Sequence, residues 1–233
     1  TGCEKQTEFQ LNANFAPGDD MNLSRRENNV FAIEDSGRPV QLQFNLESLN
    51  TTSVNELGVF LVDDDPGTIN GITPNQEGYL QAALEPERSQ VIFSALPDTT
   101  SLLENNSPER LLEFDVGDRL GFYLVPDSTT DTVRANLEDG QTPPQLLLSL
   151  ADNAANFLDI SEPEPNQFTL SWDEQPDDGE ENFDDLVIRV QASEEPPALA
   201  TRLQEERELL DLRNLANPVE ASFFVNSAAT FDN

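Results

Sequence analysis

The sequence predicts a mainly β protein, an antiparallel β-sandwich or jelly-roll-like module with a C-terminal helix and a terminal strand. Three observations carry this. Apolar residues recur in short runs with a period of two, as on a half-buried strand. Clusters of Gly, Pro, Asn and Asp separate the runs. Most of the 14 Phe and many of the Leu and Val fall inside these short runs rather than in polar tracts.

In chain order, residues 7–15 place Phe9, Leu11, Ala13 and Phe15 on one face of a first strand, and a polar loop follows over 16–29. Strands are expected at 40–46, 57–62, 90–95, 111–115, 120–125, 146–150, 168–172 and 186–190, with one short helix at 76–84. Two of the runs echo each other, Leu57-Gly58-Val59-Phe60-Leu61-Val62 and Leu120-Gly121-Phe122-Tyr123-Leu124-Val125. Neighbouring core strands under one packing demand would look alike without any gene repeat. Each glycine there marks a bulge or a close backbone approach.

The pattern changes after Ser193. Glu194-Glu195-Pro196-Pro197 is a start signal, residues 198–216 contain no Gly or Pro, and Asn217-Pro218 is a stop. A helix of roughly five turns is expected there. Leu199, Leu203 and Leu210 form its stripe, and Arg202 with Glu206 and Arg207 with Asp211 stand at helix-contact spacing. The organisation is then an N-terminal strand and loop region over 1–37, a sandwich module over 38–192, a helical connector over 193–218, and a terminal strand over 219–233. That last strand is either the start of a further module or an assembly strand for self-association by strand addition.

Charge narrows the chemistry. The chain has 45 acidic against 12 basic residues among 233, a formal net charge of −33. Nucleic acid and anionic membrane are excluded as partners for want of a basic surface. No run approaches the roughly 18 apolar residues of a membrane span, so membrane insertion is not expected. With no His and one Cys, Cys3, there is no His-containing zinc site, no internal disulfide and no Ser-His-Asp or Cys-His triad. Thr1-Gly2-Cys3 is similar to the end of a lipoprotein signal box, and the chain reads as processed or as part of a longer polypeptide. What remains is carboxylate, hydroxyl, amide and backbone oxygen, the ligands of hard cations and of Ca²⁺ above all.

The strongest site signal is the stretch 173–185, in which eight of 13 residues are acidic: Asp173, Glu174, Asp177, Asp178, Glu180, Glu181, Asp184 and Asp185. No Lys or Arg lies between Arg134 and Arg189. Two carboxylates about 4 Å apart repel by roughly 1 kcal/mol in water and about 4 at an effective dielectric near 20. A loop so charged, running straight into an apolar strand, asks for a cation. It is not an EF-hand, because counting from Asp173 puts Gly179 at position 7 rather than 6. Since Asp184 and Asp185 precede the strand directly, at least one is expected to turn inward at the loop base. Glu56, at the entry of another strand, is expected to reach across and complete an oxygen cage with Asp184 or Asp185. Asp63, Asp64 and Asp65 form a second acidic turn and are secondary metal candidates, with ordinary turn chemistry at Pro66-Gly67 as the competing account. The competing account of the whole acidic stretch is a solvated turn on a highly soluble protein.

The run Asn182-Phe183-Asp184-Asp185-Leu186-Val187-Ile188-Arg189-Val190 resembles the signature of a bacterial module of unassigned function. That module is repeated or C-terminal in large secreted and surface proteins, and its acidic Gly-containing loop closes on D-F-N-D-L-V-V-x-V. Asp185 stands at the last motif Asp, Asp184 replaces the usual Asn, and Asn182 replaces the usual Asp as a neutral amide. Trp172-Asp173-Glu174, Asn55-Glu56-Leu57-Gly58-Val59-Phe60, Val62-Asp63-Asp64 and Gly117-Asp118-Arg119-Leu120-Gly121-Phe122-Tyr123 also look like family signatures. The resemblance spans residues 38–192 and implies an extracellular or cell-surface location. For such modules both metal binding and enzymatic activity have been suggested.

The functional expectation is a non-enzymatic, calcium-binding structural module of a surface layer, adhesin or filament. The alternative is a carbohydrate-binding or carboxylate-based glycan-hydrolysing domain, with a surface glycan as partner. Paired carboxylates suffice for glycoside hydrolysis, and Trp172 or Tyr123 would stack on a sugar. Against it, 45 carboxylates make chance pairs inevitable, and one Trp with two Tyr is a poor supply for a glycan cleft.

Overall fold

The computed structural model describes residues 22–34, 40–51, 53–95, 108–175 and 183–193. It is mainly β, with two antiparallel sheets packed as a sandwich. The strands are β1 (Asn22–Arg25), β2 (Phe31–Glu34), β3 (Val40–Leu49), β4 (Asn55–Val62), β5 (Ser89–Ala95), β6 (Glu109–Phe114), β7 (Arg119–Val125), β8 (Leu147–Leu148), β9 (Leu158–Glu164), β10 (Gln167–Trp172) and β11 (Leu186–Ser193). Two α-helices, α1 (Tyr79–Ala83) and α2 (Thr130–Glu138), complete the described fold. The first sheet has the order β1-β2-β7-β4-β5, and the second β6-β3-β11-β10-β9. In the first sheet β2 pairs with the start of β7 and β8 with its end, so the two share one edge of that strand.

Alternation along the strands builds two apolar layers. Leu57 and Val59 of β4 face the second sheet and join Phe31, Phe44, Phe122, Phe168 and Trp172 in the main core. Phe60 and Val62, one step out of phase, face the other way and pack with Tyr79, Tyr123, Val133 and Leu150 beneath the helices. The first sheet is therefore buried on both faces, and β4 and β7 read as nearly continuous apolar runs. The echo between them is explained by adjacency: β4 and β7 are paired from Glu56↔Val125 to Val62↔Arg119.

The helix expected at 76–84 is present as α1. Three strands lie where none was expected. β1 falls inside the stretch read as a loop over 16–29, and β2 and β9 had no counterpart. The strand expected at 146–150 contributes only Leu147 and Leu148 to a ladder. Helix α2 was also unanticipated. The side chain of Thr129 accepts from the Thr132 amide at its N-terminus, and Val133 anchors it in the outer apolar layer. The boundary expected at residue 38 falls between β2 and β3 of the sandwich. The strands expected over 7–15 and 219–233, and the helix over 198–216, lie outside the described residues.

Candidate functional site

β10 and β11 pair antiparallel from Gln167↔Gln191 to Trp172↔Leu186, so residues 173–185 form the hairpin connection. Leu186 also pairs with Leu49, which brings the β3–β4 loop beside the hairpin base. One end of the sandwich thus gathers residues 49–51, 53–55, 173–175, 183–185 and the turn after β7.

Asp173 and Glu174 are both buried, at 2% and 5% exposure. Phe157 stacks on Trp172, and the Phe157 carbonyl accepts from the Asp173 amide at 2.9 Å, which pins the start of the loop. Glu174 points into the sandwich end. Its Oε2 accepts from Thr51 Oγ1 at 2.6 Å and from Asn55 Nδ2. Asn55, fully buried, also takes the Asp127 amide on its Oδ1 at 3.1 Å. A buried carboxylate is thereby held by two neutral donors. On the other stem Asp185 Oδ2 accepts the Glu174 amide at 2.8 Å, and the Asp185 carbonyl accepts the Asn50 amide at 2.8 Å. Asp185 turns toward the loop base while Asp184 is exposed, with Asn50 Nδ2 at 3.3 Å from its Oδ2.

Asp185 is the electrostatic focus. Burial pushes its pKa up to about 6, and Glu174, Asp173 and Asp184 push in the same direction, against the lowering effect of the Glu174 amide. Carboxylate, amide and hydroxyl oxygens are the hard donors that calcium accepts. Among the described residues, however, no three acidic side chains converge as a metal-binding group. Asp177 and Asp178 lie outside the described residues.

Glu56 does not join this cluster. It is adjacent to Asn55 on β4, and alternation sends it to the helix-covered face of the first sheet. There its Oε1 accepts from Ser94 Oγ at 3.1 Å, and its Oε2 accepts the Thr130 amide at 2.7 Å at the start of α2. The buried polar residue that β4 presents to Glu174 is Asn55. The sequence reading missed it together with Thr51, although strand parity with Leu57 and Val59 marks Asn55 as core-facing.

Asp63, Asp64 and Asp65 lie beyond the opposite end of β4, about 24 Å away for seven strand steps. Each is accounted for locally. Asp63 accepts from the Asn70 amide at 2.6 Å and from Arg88 at 2.8 Å. Burial opposes its ionisation, but those two donors outweigh it and hold the carboxyl below its ordinary pKa. Asp64 takes the amide and hydroxyl of Thr68, both at 2.7 Å, and Asp65 pairs with Arg119 at 2.5 Å. Turn chemistry and ion pairing explain this group without a metal.

The aromatic platforms of the glycan alternative are not at the surface. Trp172 and Tyr123 are both fully buried, Trp172 stacked on Phe157 and Tyr123 hydrogen-bonded at its hydroxyl to Thr130. Neither ring is available to a sugar. Models of known protein families, curated proteins and solved structures show no match to this chain.

Proposed function

We propose that the chain is a non-enzymatic, calcium-binding structural module of a bacterial surface or secreted protein. The observation carrying this reading is the concentration of Asp173, Glu174, Asp184 and Asp185 at one end of the sandwich, with Asp185 raised to about 6 by burial and by the other three. A bound divalent cation would reverse that electrostatic balance and favour the ionised carboxylate. Asp173 and Asp185 are the proposed anchoring ligands. Acids of the 176–182 segment, Asp177 and Asp178 among them, would complete an oxygen shell of the kind calcium takes. Glu174, already bonded to Thr51 and Asn55, orients the loop stem. Extracellular location and a role in a surface layer, adhesin or filament follow from the likeness of the 182–190 run to the secreted module.

Thermal melting tests the reading. An ion at 100 times its dissociation constant adds about 2.7 kcal/mol to the folded state, roughly 5–10 °C for a chain of this length. Millimolar Ca²⁺ should raise the melting temperature by that order, and matched Mg²⁺ or monovalent salt should do much less. Overlapping melting curves in calcium and in excess chelator would refute the assignment.

A further inference from the structure

Three buried side chains at the sandwich end touch one another. Thr51 Oγ1 donates to Glu174 Oε2 at 2.6 Å, and the Asn55 Nδ2 group donates both to that same carboxylate oxygen and to Thr51 Oγ1, the latter at 3.1 Å. Exposure is 7% at Thr51, 0% at Asn55 and 5% at Glu174, so bulk water is kept from all three. Thr51 and Asn55 stand four residues apart on the connection from β3 to β4, and Glu174 reaches them from the β10–β11 stem.

Each group holds a position that acyl transfer requires. Thr51 supplies a hydroxyl nucleophile directed at a carboxylate, since its other acceptor, the Ser53 carbonyl, lies farther off at 3.4 Å. The Ser53 amide donates to the same hydroxyl oxygen at 3.0 Å, which favours negative charge developing there. Asn55 supplies the electrophile, its carboxamide carbon Cγ. Its Oδ1 accepts the Asp127 amide at 3.1 Å, the contact an oxyanion donor makes. Asp127 is held at φ 48°, a left-handed conformation that residues other than glycine seldom adopt and that recurs at functional sites. The leaving nitrogen, Asn55 Nδ2, touches the carboxylate that accepts the Thr51 hydroxyl.

We infer that Thr51 and Asn55 join in an intramolecular ester, with Glu174 as the catalytic base and acid. Glu174 Oε2 takes the proton of Thr51 Oγ1 as that oxygen bonds to Asn55 Cγ. The negative charge formed on Asn55 Oδ1 faces the Asp127 amide. The Cγ–Nδ2 bond then breaks, Glu174 hands the proton to the departing nitrogen, and ammonia leaves. A hydroxyl and a carboxamide become an ester and ammonia, with no redox change and no co-reactant. Holding the reactants in contact replaces a bimolecular encounter, and burial keeps water from hydrolysing the product. The link is a single self-modification that ties the β3–β4 connection to the start of β4, and it does not depend on the calcium reading.

Intact-mass spectrometry of the 233-residue chain, incubated folded at neutral pH, tests this. The parent should be lighter than its sequence mass by one ammonia, about 17 Da. Tandem spectra of the peptide carrying residues 51–55 should lack backbone fragments between the two linked residues. T51S, which keeps the hydroxyl, should also lose ammonia, whereas T51V and E174Q should retain their full sequence masses. The inference falls if the parent keeps its sequence mass or if the loss maps to another asparagine. It falls equally if T51V still loses ammonia, since a cyclic imide at Asn55 needs no hydroxyl. Ammonia loss from E174Q at the parent's rate would overturn the role given to Glu174. If T51V or E174Q loses its β circular-dichroism spectrum, the parent and T51S decide: a mapped 51–55 link in both supports the ester, and full mass in either overturns it.

Discussion

Gly58 lies directly across from Tyr123 in the β4–β7 ladder, and a Cβ on that glycine would sit 2.1 Å from Tyr123 Cζ. The relationship is reciprocal two residues along, where Gly121 faces Phe60 and a Cβ would meet Phe60 Cζ at 2.4 Å. Each glycine is thus the floor on which the other strand's aromatic ring lies, and the twin Leu-Gly motifs are one packing device seen from both strands. Gly58→Ala should destabilise the protein by about 2 kcal/mol or more, the order expected for overpacking. Tyr123→Leu in the same chain should recover part of that loss. Urea unfolding of the two single variants and the double variant checks it, with a non-additive cycle expected.

Asn55 is the hinge of the buried polar network, donating to Glu174 and accepting from Asp127. Asn55→Ala strips one donor from a buried carboxylate and leaves a backbone amide without its acceptor. Hydrogen bonds to charged groups contribute roughly 1.5–3 kcal/mol, and an orphaned partner adds a desolvation cost. A loss of about 3 kcal/mol by denaturant unfolding is expected, against less than about 1 for Ser94→Ala, whose exposed bond to Glu56 is replaced by water.

The strands with clear period-two runs were legible, because burial of one or both faces fixes their pattern. β1 and β9 were not, for a physical reason: they are edges, and their polar and acidic residues and Pro163 serve protection rather than core packing. Their sequences therefore look like loop. Helix α2 had a readable signal in Thr129 followed by Val133 and Leu137 at helical spacing, but its polar surroundings obscured it. At the candidate site, attention to carboxylates singled out Glu56, whereas parity along β4 assigns the inward position to Asn55. Loop-base burial of one of the Asp184-Asp185 pair was legible from its junction with an apolar strand, and Asp185 is that residue.

The raised pKa of Asp185 gives stability a defined pH dependence without metal. Its folded value, about 6, lies above its ordinary value. The stabilising contribution is therefore fully present below the unfolded pKa near 4 and is lost as pH rises through about 6. In chelator, Asp185→Asn keeps an acceptor for the Glu174 amide and removes the charge. It should be more stable than the parent at pH 7, by about 1 kcal/mol after allowance for solvent screening, and should match it near pH 4. Melting temperatures of both proteins from pH 4 to pH 7.5 measure the difference. A constant offset across that range would show that the charge is not its source.

Calcium binding, if it draws on the hairpin base, must distinguish the two acidic ends of β4. Asp185 is crowded by Asp173, Glu174 and Asp184, which all raise its pKa. Asp63 is held by Arg88 and the Asn70 amide. Asp185→Ala should therefore weaken calcium binding by tenfold or more in isothermal titration, a loss of about 1.4 kcal/mol or greater. Asp63→Ala should leave the affinity within a factor of about two, since it removes one charge roughly 24 Å away, well beyond a Debye length at physiological salt. The same pair separates a site from diffuse attraction. Equal, small losses in both variants, each abolished by added monovalent salt, would mean that the net charge of −33 gathers cations without a built centre.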